Sequence, residues 1–390
     1  MPRLPHSLVH RAARINRQLP LLLRECRNLD SAQNELRWMK EAILQNDLGI
    51  DEQDWNINQS TIWQPSSLTG KKLENYVKRR ARGEPLQYIL GTQPFGELEI
   101  KCRPNVLIPR WDTEVYTAQI ARLVKRDLAV LKTESFRIAD ICTGSGCIAL
   151  LLHSLLESSD AAVSNGGPYV WGFDVSQHAL ALAKDNLRHN IRLGKLHQQA
   201  ATEVRFEHMD VLSLAKQSVT VIRSNLSKRL VEISNPSDVL FDVIVSNPPY
   251  ISPNDFRIGG TTTKSVRKFE PRLALVPPSI FLDEVVDQAD QFYVALVRIA
   301  VAAKTRLLVM EIGDTEQALR VRELCRNVND HLVETSDRPA KTVVEIWSDD
   351  GGVIRDDEAA PAAGSVTLRI SSQSEEKAEY RAVAVWFSVN

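Results

Sequence analysis

The chain lacks the features that mark several protein classes. Five cysteines in 390 residues (Cys26, Cys102, Cys142, Cys147 and Cys325) are too few and too scattered for a disulfide framework, so a reducing compartment is expected. No CxxC or His-rich spacing suggests zinc, and no metal is expected. No stretch approaches roughly 18 uncharged apolar residues, which excludes a transmembrane helix. The most apolar segment, 294–310, is broken by Arg298, Lys304 and Arg306. The net charge of -1 leaves no broad basic field for holding DNA or RNA phosphates. No internal repeat is visible. What is present is ordinary for a soluble globular chain, with 43% hydrophobic and 25% charged residues. The length predicts one large domain or two unequal ones.

The amino terminus is biased. Residues 1–24 hold Arg3, Arg11, Arg14, Arg17 and Arg24 and no acid, a composition typical of mitochondrial presequences. The other reading is a basic first helix with residues 21–23 in its core, which leaves a cytoplasmic location as the alternative. Apolar spacing predicts helices at 30–47, capped by Asp30 or Ser31, and at 69–82. Trp38 and Trp63 read as packing residues of this part. Residues 1–90 are therefore expected to form a small helical domain, closed by Gly83-Glu84-Pro85. Alternation of Leu98, Ile100 and Cys102 with acids and lysine predicts a hairpin within a linker at 91–135.

From residue 136 strands alternate with helices. Strands are expected at 136–142, 169–174, 204–209, 241–246 and 306–312, with helices at 147–156, 176–190, 282–303 and 316–325. That pattern predicts an α/β fold with a doubly wound, mainly parallel sheet. Segments 342–347 and 380–387 add two strands, expected as an antiparallel edge hairpin. Residues 213–240 and 349–379 read as polar inserts.

Two motifs carry chemistry. Asp140-Ile-Cys142-Thr143-Gly144-Ser145-Gly146 joins a strand to a helix. Glycines let the backbone approach a ligand, and the helix start offers unpaired N–H groups. Asp174 ends the next strand, where a carboxylate can accept both ribose hydroxyls. The loop also satisfies a relaxed dinucleotide fingerprint. Asp140 would repel a pyrophosphate but suits a cationic amino-acid ligand, which points to S-adenosylmethionine. The second motif, Asn247-Pro248-Pro249-Tyr250, follows an apolar strand. Asn247 Oδ1 and the Pro248 carbonyl can accept the two hydrogens of a planar –NH2 group. Tyr250 can stack on that group, and the prolines stiffen the loop.

These residues resemble the class I S-adenosylmethionine-dependent methyltransferases. More narrowly, the chain resembles the HemK/PrmC family of protein-(glutamine-N5) methyltransferases, which modify peptide chain release factors. The resemblance is carried by 82–91 (Arg-Gly-Glu-Pro-Leu-Gln-Tyr-Ile-Leu-Gly), 106–114, 140–146 and 246–251, with weaker support from 269–275 and 310–313. It implies a Rossmann-like seven-stranded methyltransferase sheet spanning 136–390 and an amino-terminal domain that grips the release factor. It implies S-adenosylmethionine as cofactor, with Thr143, Gly144 and Gly146 along its methionine part, Asp174 at the ribose and Asp210 near the adenine. Asn247 to Tyr250 would bind the glutamine of a Gly-Gly-Gln loop. Cys142 stands where the family has its first loop glycine, and Trp111 where it has a second proline. The longer inserts and the basic leader suit a eukaryotic organelle version, here a mitochondrial one. A monomer acting on the release factor, with no direct nucleic acid and no membrane partner, is expected. The alternative is an adenine-N6 nucleic-acid methyltransferase using the same Asn-Pro-Pro-Tyr loop.

Overall fold

The computed structural model describes residues 3–48, 67–128, 136–157, 168–230, 239–279, 286–333, 342–349, 352–355 and 379–387. They divide between two units: Met1–Gln93 with Cys102–Pro104 and Thr262–Glu270, and Pro94–Lys101 with Asn105–Thr261 and Pro271–Asn390.

The larger unit is built on one sheet. A hairpin of β1 (Thr92–Phe95) and β2 (Leu98–Lys101) precedes it. The sheet strands are β3 (Arg137–Ile141), β4 (Tyr169–Asp174), β5 (Val204–His208), β6 (Val243–Ser246), β7 (Leu307–Glu311), β8 (Thr342–Ser348), β9 (Val353–Arg355) and β10 (Tyr380–Phe387). Their order is β5-β4-β3-β6-β7-β10-β8-β9. The first five strands are parallel, and β10 runs antiparallel to both β7 and β8. Expected strand positions agree, with two differences. β10 is the inner strand and separates β8 from β7. β9, from a segment read as insert, adds an eighth strand antiparallel to β8.

The strands read as apolar runs because both faces are buried. Alternate residues serve opposite cores: Ala139, Trp171, Phe173, Ile244, Leu308 and Met310 on one face, Ile138, Val170, Val243, Val245, Leu307 and Val309 on the other. Fully burying such a side chain stabilises the fold by about 2 kcal/mol, so register is strongly specified. The chain starts in the middle of the sheet at β3, passes outward through β4 and β5, then returns to β6 on the other side of β3. The carboxyl ends of β3 and β6 therefore flank the switch point where ligands bind in such sheets. The two sequence motifs follow those two strands.

Two expectations need revision here. Residues 213–240 are not simply a polar excursion: Val219–Leu230 is a helix that buries Ile222, Leu226 and Leu230 in the core. Most of the hairpin (Pro94–Lys101) and helix Trp111–Leu123 belong to the larger unit rather than to a free linker. Asn190 and Asn186 of helix Gln177–Arg192 accept from the Glu99 and Lys101 N–H groups at 2.9 and 2.8 Å, closing the β2 edge. Residues 231–238 and most of 349–379 lie outside the described residues, as does Trp63.

The smaller unit is helical: His6–Ile15, Leu19–Cys26, Leu29–Leu48, Ser67–Arg80 and Leu86–Leu90. Its core gathers Leu36, Met39, Ile43, Leu73 and Val77 as the spacing predicts. Ala12, Leu19, Leu22 and Leu23, from the arginine-rich segment, fill the same core. Asn28, not Asp30 or Ser31, caps the third helix by accepting from the Ser31 N–H at 2.7 Å. Trp38 is 42% exposed and so is not a core residue. Arg80 forks onto Glu35 at 2.7 and 2.8 Å, joining two helices. The helix Lys264–Phe269 belongs to this unit, where Ser265 donates to the Gly83 carbonyl at 2.6 Å. No helix among the described residues is long and apolar enough to cross a membrane.

Candidate active site at the carboxyl ends of the sheet

The glycine loop leaves β3 in left-handed backbone, with φ of 63° at Cys142, 55° at Gly144 and 80° at Gly146. The Thr143 N–H donates to the Phe173 carbonyl at 2.9 Å and ties the loop to β4. Cys142 thus occupies a conformation that glycine adopts without strain. Burial, with the neighbouring Asp174 charge, pushes its thiol well above its ordinary range, so it stays a neutral packing group. The two glycines differ in surroundings. A Cβ on Gly146 would lie 2.9 Å from the Phe206 ring, whereas one on Gly144 would meet nothing nearer than 4.0 Å. Gly146 serves packing; Gly144 leaves a face open to a ligand.

Asp140 is fully buried. Its Oδ2 accepts from Thr143 Oγ1 at 2.6 Å and from the Ala149 N–H at 3.2 Å, while its Oδ1 has no protein partner. Burial pushes its carboxyl up to about 7 against the pull of those two bonds. Asp174 accepts from the Gly144 N–H at 2.9 Å and the Ser176 N–H at 2.8 Å. Burial raises its carboxyl too, with the backbone bonds opposing. Asp210 caps helix Val211–Ala215, taking Ser213 N at 3.0 Å and Ser213 Oγ at 2.7 Å. Partial burial pushes its carboxyl up, but the Ser213 bonds outweigh that and hold it below the ordinary range.

A cavity of about 220 Å³ opens beside these groups. Of the expected residues, Cys142, Thr143, Gly144, Ser145, Asp174, Asp210, Asn247 and Pro249 line it. Asp140, Gly146, Pro248 and Tyr250 do not. Asp140 acts through Thr143, which does line it. Arg110 and Thr113 also reach the cavity wall.

The elbow after β6 is tied down on every side. Ser246 Oγ donates to the Ile141 carbonyl at 2.7 Å, and the Ile251 N–H to the Leu275 carbonyl at 2.9 Å. Gln317 Nε2 donates to the Tyr250 carbonyl at 3.2 Å and to Asp290 at 2.8 Å. Asn247 Nδ2 donates to Thr113 Oγ1 at 3.3 Å. Tyr250 departs from the stacking role expected of it: its hydroxyl donates to buried Glu311 at 3.2 Å. Its ring edge faces Gly313, where a Cβ would lie 3.1 Å away. Tyr250 is an anchor of the elbow, not part of the cavity wall. Thr113, Glu311 and Gln317 were not picked out from the sequence, although Thr113 and Glu311 lie inside segments 106–114 and 310–313 that carry the family resemblance. Among the described residues no metal-binding cluster is gathered.

S-adenosylmethionine carries a cationic amino group, a sulfonium and a ribose. A buried carboxylate oxygen without a partner, a second carboxylate at the end of β4 and an open glycine face suit those groups, so the residues fit the cofactor.

Residues 22–91 match the PrmC N-terminal domain family, and residues 112–280 match the N-6 DNA Methylase family. The mitochondrial MRF1 N(5)-glutamine methyltransferase MTQ1 of Saccharomyces cerevisiae is 33% identical over 319 residues, covering 81% of this chain and 78% of that protein. The release factor glutamine methyltransferase of Geobacter sulfurreducens is 34% identical over 258 residues, covering 66% of this chain and 70% of that protein. With that identity spread across both the helical unit and the sheet, the chain belongs to the HemK/PrmC family of S-adenosylmethionine-dependent protein-(glutamine-N5) methyltransferases.

Proposed function

We propose that this chain methylates the side-chain amide nitrogen (N5) of the glutamine in the Gly-Gly-Gln motif of a peptide chain release factor, in mitochondria. The observation that carries this reading is that the glycine loop and the Asn247 carboxamide share one cavity. Thr143, Gly144 and Asp174 hold the cofactor, Asp140 acting through Thr143, with Asp210 beside its base. When bound, S-adenosylmethionine supplies an electrophilic methyl group on a sulfonium.

Asn247 Oδ1 accepts one hydrogen of the target –NH2 and the Pro248 carbonyl accepts the other. An amide nitrogen is a weak nucleophile because its lone pair is delocalised. Two fixed acceptors hold it in line and favour the positive charge that grows on it in the transition state. Pro248 and Pro249 keep those acceptors in place at little ordering cost. The proton is shed after the N–C bond has formed, so no general base is assigned.

The helical unit recognises the release factor, a reading supported by its match to the PrmC N-terminal domain. The mitochondrial location is supported by the name of the Saccharomyces relative. The N-6 DNA Methylase match spans the Asn-Pro-Pro-Tyr element that nucleic-acid enzymes share. The net charge of -1 and the amino-terminal domain favour a protein substrate.

The test is direct. Calorimetry with S-adenosylhomocysteine and with NAD establishes cofactor choice, and binding of NAD alone refutes the proposal. Incubation with labelled cofactor and a mitochondrial release factor should place label on the factor. A cofactor-bound protein that labels DNA or RNA instead refutes the choice of substrate.

A further inference from the structure

Strand β7 ends in Glu311, a carboxylate only 3% exposed after four apolar residues. Burying a carboxylate is costly unless its lone pairs are used. Here both oxygens are engaged. Thr113 Oγ1 donates to Oε2 at 2.6 Å, and the Tyr250 hydroxyl donates to Oε1 at 3.2 Å. The Glu311 carbonyl accepts from the Tyr293 hydroxyl at 3.0 Å, which fixes the strand end. Thr113 is itself buried, in the first turn of helix Trp111–Leu123, and Asn247 Nδ2 lies 3.3 Å from its hydroxyl oxygen.

Burial raises the Glu311 carboxyl above its ordinary range, and the hydroxyls of Thr113, Tyr116 and Tyr250 oppose that by favouring the charged form. With Glu311 ionised, the direction of these bonds is set by proton counting. A carboxylate only accepts, and a hydroxyl has one proton to give. The short 2.6 Å contact is the length of a charge-assisted O–H···O⁻ bond. Thr113 spends its single proton on Glu311. Towards Asn247 it can only accept. The Asn247 carboxamide must then present its –NH2 to Thr113, and its oxygen is left pointing the other way. With the amide reversed, two oxygens would face each other with no proton between them, and the outward group would be a donor.

We infer that Glu311 is a positioning residue: through Thr113 it sets which end of the Asn247 carboxamide faces the substrate, and through Tyr250 it holds the elbow. The inference rests on the proposed function, because the freed oxygen matters when it accepts from a substrate amide. Glu311 touches neither cofactor nor substrate. Its action is to make one of two nearly isosteric orientations of Asn247 the only one that satisfies the network. A reversed amide would offer –NH2 to the –NH2 of the target, which neither aligns it nor stabilises its developing charge.

Three variants of the full chain test this. Thr113→Val keeps the shape and removes the relay. Thr113→Ser keeps the hydroxyl. Glu311→Gln replaces an obligate acceptor with a group that can donate. The first measurement needs no turnover. In nuclear magnetic resonance spectra, the Asn247 side-chain –NH2 signals are assigned by their loss in Asn247→Asp. They should show a cross-peak to the Thr113 methyl group, and in Thr113→Val their exchange with water should quicken by about tenfold or more. Wild-type signals with no such contact overturn the inference.

The second measurement is kinetic. Thr113→Val and Glu311→Gln should lower kcat for release-factor methylation by about 10- to 100-fold, the scale expected when a reacting group is misaligned. KM and S-adenosylhomocysteine affinity should move by less than about threefold, and Thr113→Ser should restore kcat to within about threefold. Wild-type kcat in Thr113→Val, or losses that only track the folded fraction in thermal melts, overturn the inference. A wild-type protein that shows the amide contact but methylates no release factor supports the positioning role and refutes the substrate.

Discussion

The loop after β3 and the elbow after β6 sit at neighbouring strand ends and line one cavity, yet they are held by opposite means. The glycine loop is shaped by its own backbone: left-handed residues at 142, 144 and 146, a backbone hydrogen bond to β4, and a carboxylate left with a free oxygen. The elbow is shaped by side chains from elsewhere in the chain, among them Thr113, Glu311 and Gln317. The first arrangement leaves polar groups open to a ligand. The second uses up polar groups so that the Asn247 carboxamide is left with its acceptor free. A binding loop and an alignment device thus leave different hydrogen-bond accounts, and mutation should separate them.

Asn247→Ala should break the contrast most severely. Methyl transfer is expected to fall by about 10²–10³-fold, as when one transition-state hydrogen bond is deleted, while S-adenosylhomocysteine affinity by calorimetry changes by less than about threefold. A loss of affinity as large as the loss of rate would assign Asn247 to the cofactor loop instead.

Asp140→Asn should act on binding and on stability in opposite directions. The folded carboxyl is pushed from the ordinary 3.8 up to about 7. Between those values the unfolded chain has released this proton and the folded chain has not, so this group's contribution is present at low pH and lost as pH rises to about 7. The asparagine oxygen keeps the Thr143 and Ala149 bonds. Denaturant melts should find the variant more stable than the parent at neutral pH by on the order of 2 kcal/mol, with the gap closing towards pH 4. Calorimetry should find S-adenosylhomocysteine binding weakened about tenfold or more, in keeping with the loss of a buried charge partner. Equal pH slopes in the two proteins would contradict the burial of the Asp140 carboxyl.

Within the loop, Gly146→Ala should cost about 2–3 kcal/mol of stability, because its Cβ would collide with Phe206 in addition to the left-handed strain. Gly144→Ala should cost about 1 kcal/mol in melts, since only the backbone objects, but should weaken the cofactor. The smallest effect is expected at Trp111, an exposed first residue of its helix preceded by an extended Arg110. Proline is at home there, so Trp111→Pro should shift stability by less than about 1 kcal/mol; a larger loss would mean the indole has a packing role.

The legibility of these regions differs for the same reason. The strands of the sheet, the helix Cys147–Leu156 and the glycine loop follow from short-range pattern: apolar runs buried on both faces, then glycines at a strand-to-helix turn. Cys142 explains itself once its φ is known, since the family's glycine there answers to a left-handed backbone. Thr113 and Glu311 are 198 residues apart, and no local spacing connects them. Their segments belong to the family pattern, but pattern alone assigns no bond. Helix Val219–Leu230 was hidden by its polar composition, although Ile222, Leu226 and Leu230 recur every four residues, a helical spacing. The inner place of β10 could not be read either, because an antiparallel return from the end of the chain leaves no mark on the strand itself.

The most direct test is the position of the methyl group. The purified chain, labelled S-adenosylmethionine and a mitochondrial release factor are combined, and the label is mapped by mass spectrometry. A copy of the factor with asparagine in place of the Gly-Gly-Gln glutamine serves as control. The label is predicted on that glutamine alone and absent from the control. Label on any other residue, or an unlabelled factor in the presence of cofactor-bound enzyme, would contradict the account.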